Sequence, residues 1–173
     1  TINTPKLKGS INLIGARLDD LSLKLYHEAV DPKSPEITLL SPEQSENAYF
    51  VDFGWLGTAK FPDTKSIWKV QGTQTELTPN QPVTLTWQNE EGLKFERIIS
   101  VDENYLFTIT DKVISNASTD IQLKAYSQVT RIGKPVTSGY YILHEGAIGV
   151  INSRLNEVDY DKLLKEKTIQ QTT

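Results

Sequence analysis

The sequence predicts a mainly β protein, an antiparallel β-sandwich with little helix near the C-terminus, on three observations. Apolar and polar residues alternate with a period of two through 93–132. Clusters of Asn, Asp, Pro and Gly punctuate the chain at short intervals, and only the tail at 156–167 carries any helical spacing. Leu93, Phe95, Ile99 and Val101 share one parity, Lys94, Glu96 and Ser100 the other, and Ile98 is the one apolar residue on the polar side. Successive side chains of an extended chain point to opposite sides, so this is a strand with one dry face. Asp102-Glu103-Asn104 supplies a turn, because Asp and Asn bond their own backbone and tolerate left-handed dihedrals. Tyr105, Phe107, Ile109 and Val113 then alternate with Thr108, Thr110 and Lys112. After a second turn cluster at 116–120, Ile121, Leu123, Ala125 and Val129 alternate with Gln122, Lys124, Gln128 and Thr130. The three strands read as a meander in which each pairs with the next.

The remaining elements follow in chain order. Ile2, Leu7, Ile11, Leu13 and Ile14, broken by Pro5 and Gly9, predict two short strands with a turn at Lys8-Gly9. Leu21, Leu23 and Leu25 alternate with Ser22, Lys24 and Tyr26 as a further strand. Asp31-Pro32-Lys33-Ser34-Pro35 is an exposed loop, since each Pro lacks a donor and biases the residue before it toward extended geometry. Residues 37–40 are a short strand closed by Ser41-Pro42, and 48–55, dense in aromatic and β-branched residues, is a strand packed on both faces. A loop at 57–65 precedes a strand with Ile67, Trp68 and Val70. The turn at 78–82 leads into Val83, Leu85 and Trp87, and Asn89-Glu90-Glu91-Gly92 is a hairpin turn. Beyond the meander come a loop at 133–139, Tyr140 to Leu143, and an irregular strand pair over 144–151 whose glycines allow close backbone approach. About ten strands at this spacing indicate a sandwich of antiparallel sheets.

With 173 residues, 38% hydrophobic and 23% charged, the chain has the composition of an ordinary globular domain. No segment approaches the roughly 20 apolar residues that span a bilayer. A net charge of −4 without a Lys/Arg cluster gives no reason to expect nucleic acid. The chain has no Cys, which excludes disulfides, Cys metal sites and Cys nucleophiles, and no Met, which points to a processed chain or a piece of a longer protein.

Chemistry-bearing residues are sparse. His27 and His144 are each followed by a glutamate, Glu28 and Glu145, but neighbours in a strand point apart, so neither pair is placed to exchange a proton. No spacing suggests converging metal ligands, and Gly146 and Gly149 lack the helix start and Lys-Ser/Thr of a phosphate loop. Asn116-Ala117-Ser118 matches a glycosylation sequon, for which a turn is sufficient explanation. Trp55, Trp68 and Trp87 could grip sugars or extended peptides, but in a chain of many strands they are expected in the core. The expected catalytic, cofactor-binding and metal residues are therefore none, and the binding surface is not specified.

The order of several segments resembles a known family. Leu13-Ile14-Gly15-Ala16-Arg17-Leu18-Asp19-Asp20-Leu21, then Ile37-Thr38-Leu39-Leu40-Ser41-Pro42, then Ala48-Tyr49 through Gly54-Trp55 look like the first large periplasmic domain of the YidC-type membrane-protein insertases of alphaproteobacteria. Asp102-Glu103-Asn104-Tyr105, Val113-Ile114-Ser115-Asn116 and His144-Glu145-Gly146-Ala147-Ile148-Gly149-Val150 are similar to that family too. The resemblance implies a β-supersandwich like that of sugar mutarotases, with 1–173 a single periplasmic domain excised from a longer membrane protein. It implies anchorage through segments absent from this chain, at the periplasmic face of the bacterial inner membrane. It further implies a non-catalytic domain without cofactors, whose partners are the SecDF subunits of the Sec translocon and nascent membrane proteins. The alternative is a carbohydrate-binding or aldose-epimerase-like sandwich, suggested by the mutarotase analogy, His144, Glu145 and the tryptophans.

Overall fold

Alternation in the sequence becomes pairing in the structure, a computed structural model that describes residues 1–116, 120–135 and 143–166. The chain divides into two compact units, Thr1–Ile132 and Gly133–Thr173. The first holds strands β1 (Ile2–Asn3), β2 (Leu7–Asn12), β3 (Arg17–His27), β4 (Glu36–Leu40), β5 (Tyr49–Gly57), β6 (Lys69–Val70), β7 (Val83–Gln88), β8 (Leu93–Val101), β9 (Phe107–Ser115) and β10 (Leu123–Arg131). One sheet runs β1-β2-β3-β5-β10, with β4 also paired to β3, and the other runs β6-β7-β8-β9. Every ladder between these strands is antiparallel.

The core lies between the two sheets and is aromatic at its centre. Trp55 of β5 stacks on Trp68 with ring centroids 6.1 Å apart and meets Phe95 of β8 edge-on at 4.9 Å, while Trp87 of β7 meets Phe95 at 5.7 Å. Each such pair adds about 0.5–1.5 kcal/mol beyond the area it buries. Leu7, Leu18, Leu21, Leu77, Leu85, Leu93, Ile99 and Val101 complete the layer.

Short polar side chains set the turns. Thr4 Oγ1 accepts from the backbone N–H of Lys6 and Leu7, Asn89 Oδ1 from those of Glu91 and Leu93, and Asp102 Oδ1 from those of Asn104 and Leu106. The Asn and Asp turns are those the sequence predicts. The first turn is not: it falls at Thr4 to Lys6 rather than at Lys8-Gly9. Gly9 sits inside β2 opposite both Ile2 and Leu21, where a Cβ would lie 2.1 Å from the Asp20 carbonyl oxygen. Glycine is there for backbone approach, and no turn is needed.

The larger correction concerns β10. It leaves the meander and pairs with β5 over its whole length, Leu123 opposite Gly57 and Arg131 opposite Tyr49. Alternation identifies a strand but says nothing of its partner. Here the free edge of β5, buried or partly buried on both faces over 49–55, is a stronger claimant for hydrogen bonds than the outer edge of β9. Ile121 and Leu123 pack on the core as the chain crosses.

In the second unit β11 (Gly146–Ile151) pairs with β12 (Arg154–Asp159), and helix α1 (Tyr160–Glu166) follows. The helical spacing expected over 156–167 holds only from Tyr160, because 154–159 is a strand. Asn152 and Ser153, both at positive φ, form the two-residue turn that closes this hairpin. Of the expected segment Tyr140 to Leu143, residues 140–142 lie outside the described residues. Among the described residues, no helix is long and apolar enough to cross a membrane.

Candidate functional site

The arginines, which carry no motif in the sequence, form the polar centres of the structure. Arg97 stands on the apolar parity of β8, between Phe95 and Ile99, and is 0% exposed. Its Nε and Nη2 donate to the two carboxylate oxygens of Asp111 at 2.8 and 3.0 Å, and Asp111 is its direct cross-strand partner on β9. The guanidinium also lies 5.0–5.1 Å from the rings of Phe53, Trp55 and Trp68. Because its contacts reach β5, this residue shows that β5 lies across from β8. A planar, permanently charged fork suits such a site in a way a lysine would not. The signal was legible: folding the hairpin about Asn104 brings two opposite charges together on two otherwise apolar parities.

Arg17 forms a second centre, on the other face of β5. Its Nε donates to Asp52 at 2.6 Å and its Nη1 to Glu43 at 2.8 Å, with the guanidinium 4.3 Å from the Phe50 ring. Burial works to lower its pKa, but the two carboxylates outweigh burial and hold it above the ordinary arginine value. On the same face the Tyr126 ring lies over Gly54, where a Cβ would come within 2.7 Å of it.

Arg131 differs from both. It ends β10, and its guanidinium stacks 4.7 Å from the Tyr49 ring on the wall of a cleft of about 350 Å³. Thr38, Leu39, Glu46 and Asn47 contribute to the other walls. Its Nε is buried with no hydrogen-bond partner among the described residues, and no carboxylate there lies in ion-pair range of it.

The two sheet edges beside this region are open. β10 has β5 as its one neighbour and β9 has β8 as its one neighbour among the described residues. Since β5 lies across from β8, β9 and β10 are the outermost strands on one flank. Ala125, Ser127 and Val129 pair with Trp55, Phe53 and Val51 and so share their inward face, yet all three are exposed, Val129 at 63%. Val113, which pairs with Phe95 on the inward parity of β9, is 38% exposed. The dry face expected for Ala125 and Val129 is therefore uncovered in the structure, because the second sheet ends at β9.

The residues weighed from the sequence lie elsewhere. His27 Nδ1 sits 2.7 Å from the carbonyl oxygen of Ser34 and braces the proline-flanked loop. His144 Nδ1 lies 3.3 Å from Asp159, while Glu145 pairs with Lys134 at 3.7 Å, so His144 and Glu145 have separate partners. Trp55 and Trp68, 4% and 1% exposed, are core residues. Trp87, partly buried, reaches a shallow cleft of about 270 Å³ beside Ile67, Lys69 and Lys94. Among the described residues no group of three His, Asp or Glu side chains could hold a metal ion. Ala117 and Ser118 of the sequon lie outside them.

Two antiparallel sheets around an aromatic core, with ion-paired arginines inside and, among the described residues, two strand edges open, define an antiparallel β-sandwich. The chain belongs to the YidC periplasmic domain family, whose model matches residues 1–173. It is 53% identical over 168 residues to the membrane protein insertase YidC of Methylobacterium radiotolerans, covering 95% of this chain and 27% of that protein. It is 48% identical to the proteins of the same name from Sinorhizobium fredii, over 94% of this chain and 28% of that protein, and Brucella suis, over 97% and 28%. The chain thus spans just over a quarter of the length of these curated relatives.

Proposed function

We propose that this domain is a non-catalytic protein-binding module of a YidC-type insertase, at the periplasmic face of the inner membrane, serving the insertion and folding of inner-membrane proteins. The observation that carries the reading is the open flank, with the free edge of β10 beside an exposed inward face at Ala125, Ser127 and Val129. An edge strand offers unpaired N–H and C=O groups to an extended guest, and main-chain bonds supply affinity with little demand on sequence. That suits a module meeting many clients. The guests in this reading are extended periplasmic stretches of nascent membrane proteins or the SecDF subunits of the Sec translocon.

The test is a titration of the isotope-labelled chain with unfolded peptides and with the periplasmic domains of SecDF. Amide resonances of 123–131 should shift on addition of at least one of these. If every amide stays in place with both, the binding role is wrong.

A further inference from the structure

We infer that the cleft at Tyr49 and Arg131 seats an acidic side chain of the extended client segment, so that the domain prefers clients carrying an aspartate or glutamate. This rests on the client-binding reading above and adds a chemical preference to it. Three of the four arginines are informative. Arg17 and Arg97 each have a carboxylate from their own fold at 2.6–2.8 Å. Arg131 is half-buried with its guanidinium 4.7 Å over the Tyr49 ring, and among the described residues it has neither a carboxylate nor any acceptor for its buried Nε. The Nε is closed to solvent, as Arg97 Nη1 is, so an incoming carboxylate meets the guanidinium through its remaining donors and gains a charge-assisted bond there.

The surroundings suit this guest. Stacking on Tyr49 holds the guanidinium plane in place, so little side-chain freedom remains to be lost on binding. Leu39, exposed at the end of β4, offers an apolar wall to the aliphatic stem of a glutamate. At about 350 Å³ the cleft is at the small end for a ligand site and fits a side chain better than a cofactor. Glu46 lines the same cleft outside ion-pair range of Arg131, and it opposes any anion there. Its effect has a predictable sign, which makes it a control.

The experiment compares two short extended peptides of alternating threonine and valine, one with a central glutamate and one with glutamine there, titrated into the labelled chain. The glutamate peptide should bind about tenfold more tightly, with the gap shrinking as sodium chloride is raised. Arg131→Gln should close the gap and Glu46→Gln should widen it. Equal binding of the two peptides to the wild type, unmoved by Glu46→Gln, overturns the acidic preference and leaves the client reading intact. If neither peptide shifts a resonance, the acidic preference and the client reading both fall, and the SecDF titration alone decides whether a binding role remains. Should Arg131→Gln fail to fold, Glu46→Gln and the salt series decide the question by themselves.

Discussion

Arg97 and Arg131 use the same chemistry to opposite ends. Both lay a guanidinium on aromatic rings, but Arg97 is given its carboxylate by the register of its own hairpin, and among the described residues Arg131 is given none. A buried ion pair with one built-in partner fixes which residues face each other, because any slip of β8 against β9 leaves both charges stranded. An arginine with no carboxylate among the described residues does not set strand register in this way, and it keeps hydrogen-bonding capacity for something else. The difference separates a residue that specifies the sandwich from one that is available to a guest.

The contrast can be tested in order of expected effect. Asp111→Ala should be the most damaging, costing about 3–5 kcal/mol in chemical denaturation, because it strands a fully buried cation. Replacing both partners, Arg97→Leu with Asp111→Leu, should recover most of that loss; a double variant as unstable as the single one would mean that the pair's geometry itself matters. Asp52→Ala should cost less, about 1–3 kcal/mol, since Arg17 keeps Glu43 and is nearer the surface. Arg131→Gln should lower stability by only about 0.5–1 kcal/mol, the loss of one stacking contact with Tyr49. A cost comparable to that of Asp111→Ala would erase the distinction between the two arginines.

The smallest effect belongs to the wet face of β8, one residue away from Arg97. The Glu96 side chain accepts from Lys94 Nζ at 2.6 Å, with Lys112 at 3.8 Å, and the Lys94 bond holds its carboxyl below the usual glutamate range. A depressed carboxyl pKa stabilises the fold above the ordinary glutamate value, and that contribution disappears as pH falls through the folded value. Carboxyl NMR titration should therefore find Glu96 among the last glutamates to protonate. Glu96→Gln should leave the thermal midpoint at neutral pH nearly unchanged, since such surface pairs are weak.

Much of this was present in the order of the residues. Leu93, Phe95, Ile99 and Val101 declare the buried face of β8, and Asn89 and Asp102 declare its two turns, because both signals are local and act within a few residues. The Arg97–Asp111 pair was also legible, as opposite charges on apolar parities at mirrored positions of one hairpin, although alternation alone passes over it. Gly9 misled, because a glycine that relieves a close approach between strands looks in one dimension like a glycine that makes a turn.

The sequence by itself determined that the chain is β-rich, where most strands begin and end, which face of each central strand is dry, and, through its segment order, the family to which it belongs. Tertiary structure alone decided that β10 joins β5, that among the described residues β9 and β10 are left as open edges, and that Arg131 meets Tyr49 at a cleft where none of those residues places a carboxylate in ion-pair range of it. Periodicity records how a strand divides its two faces between water and core. Which strand lies alongside, and which charge is left without a partner, depends on contacts between residues far apart in the chain, and no local pattern encodes them.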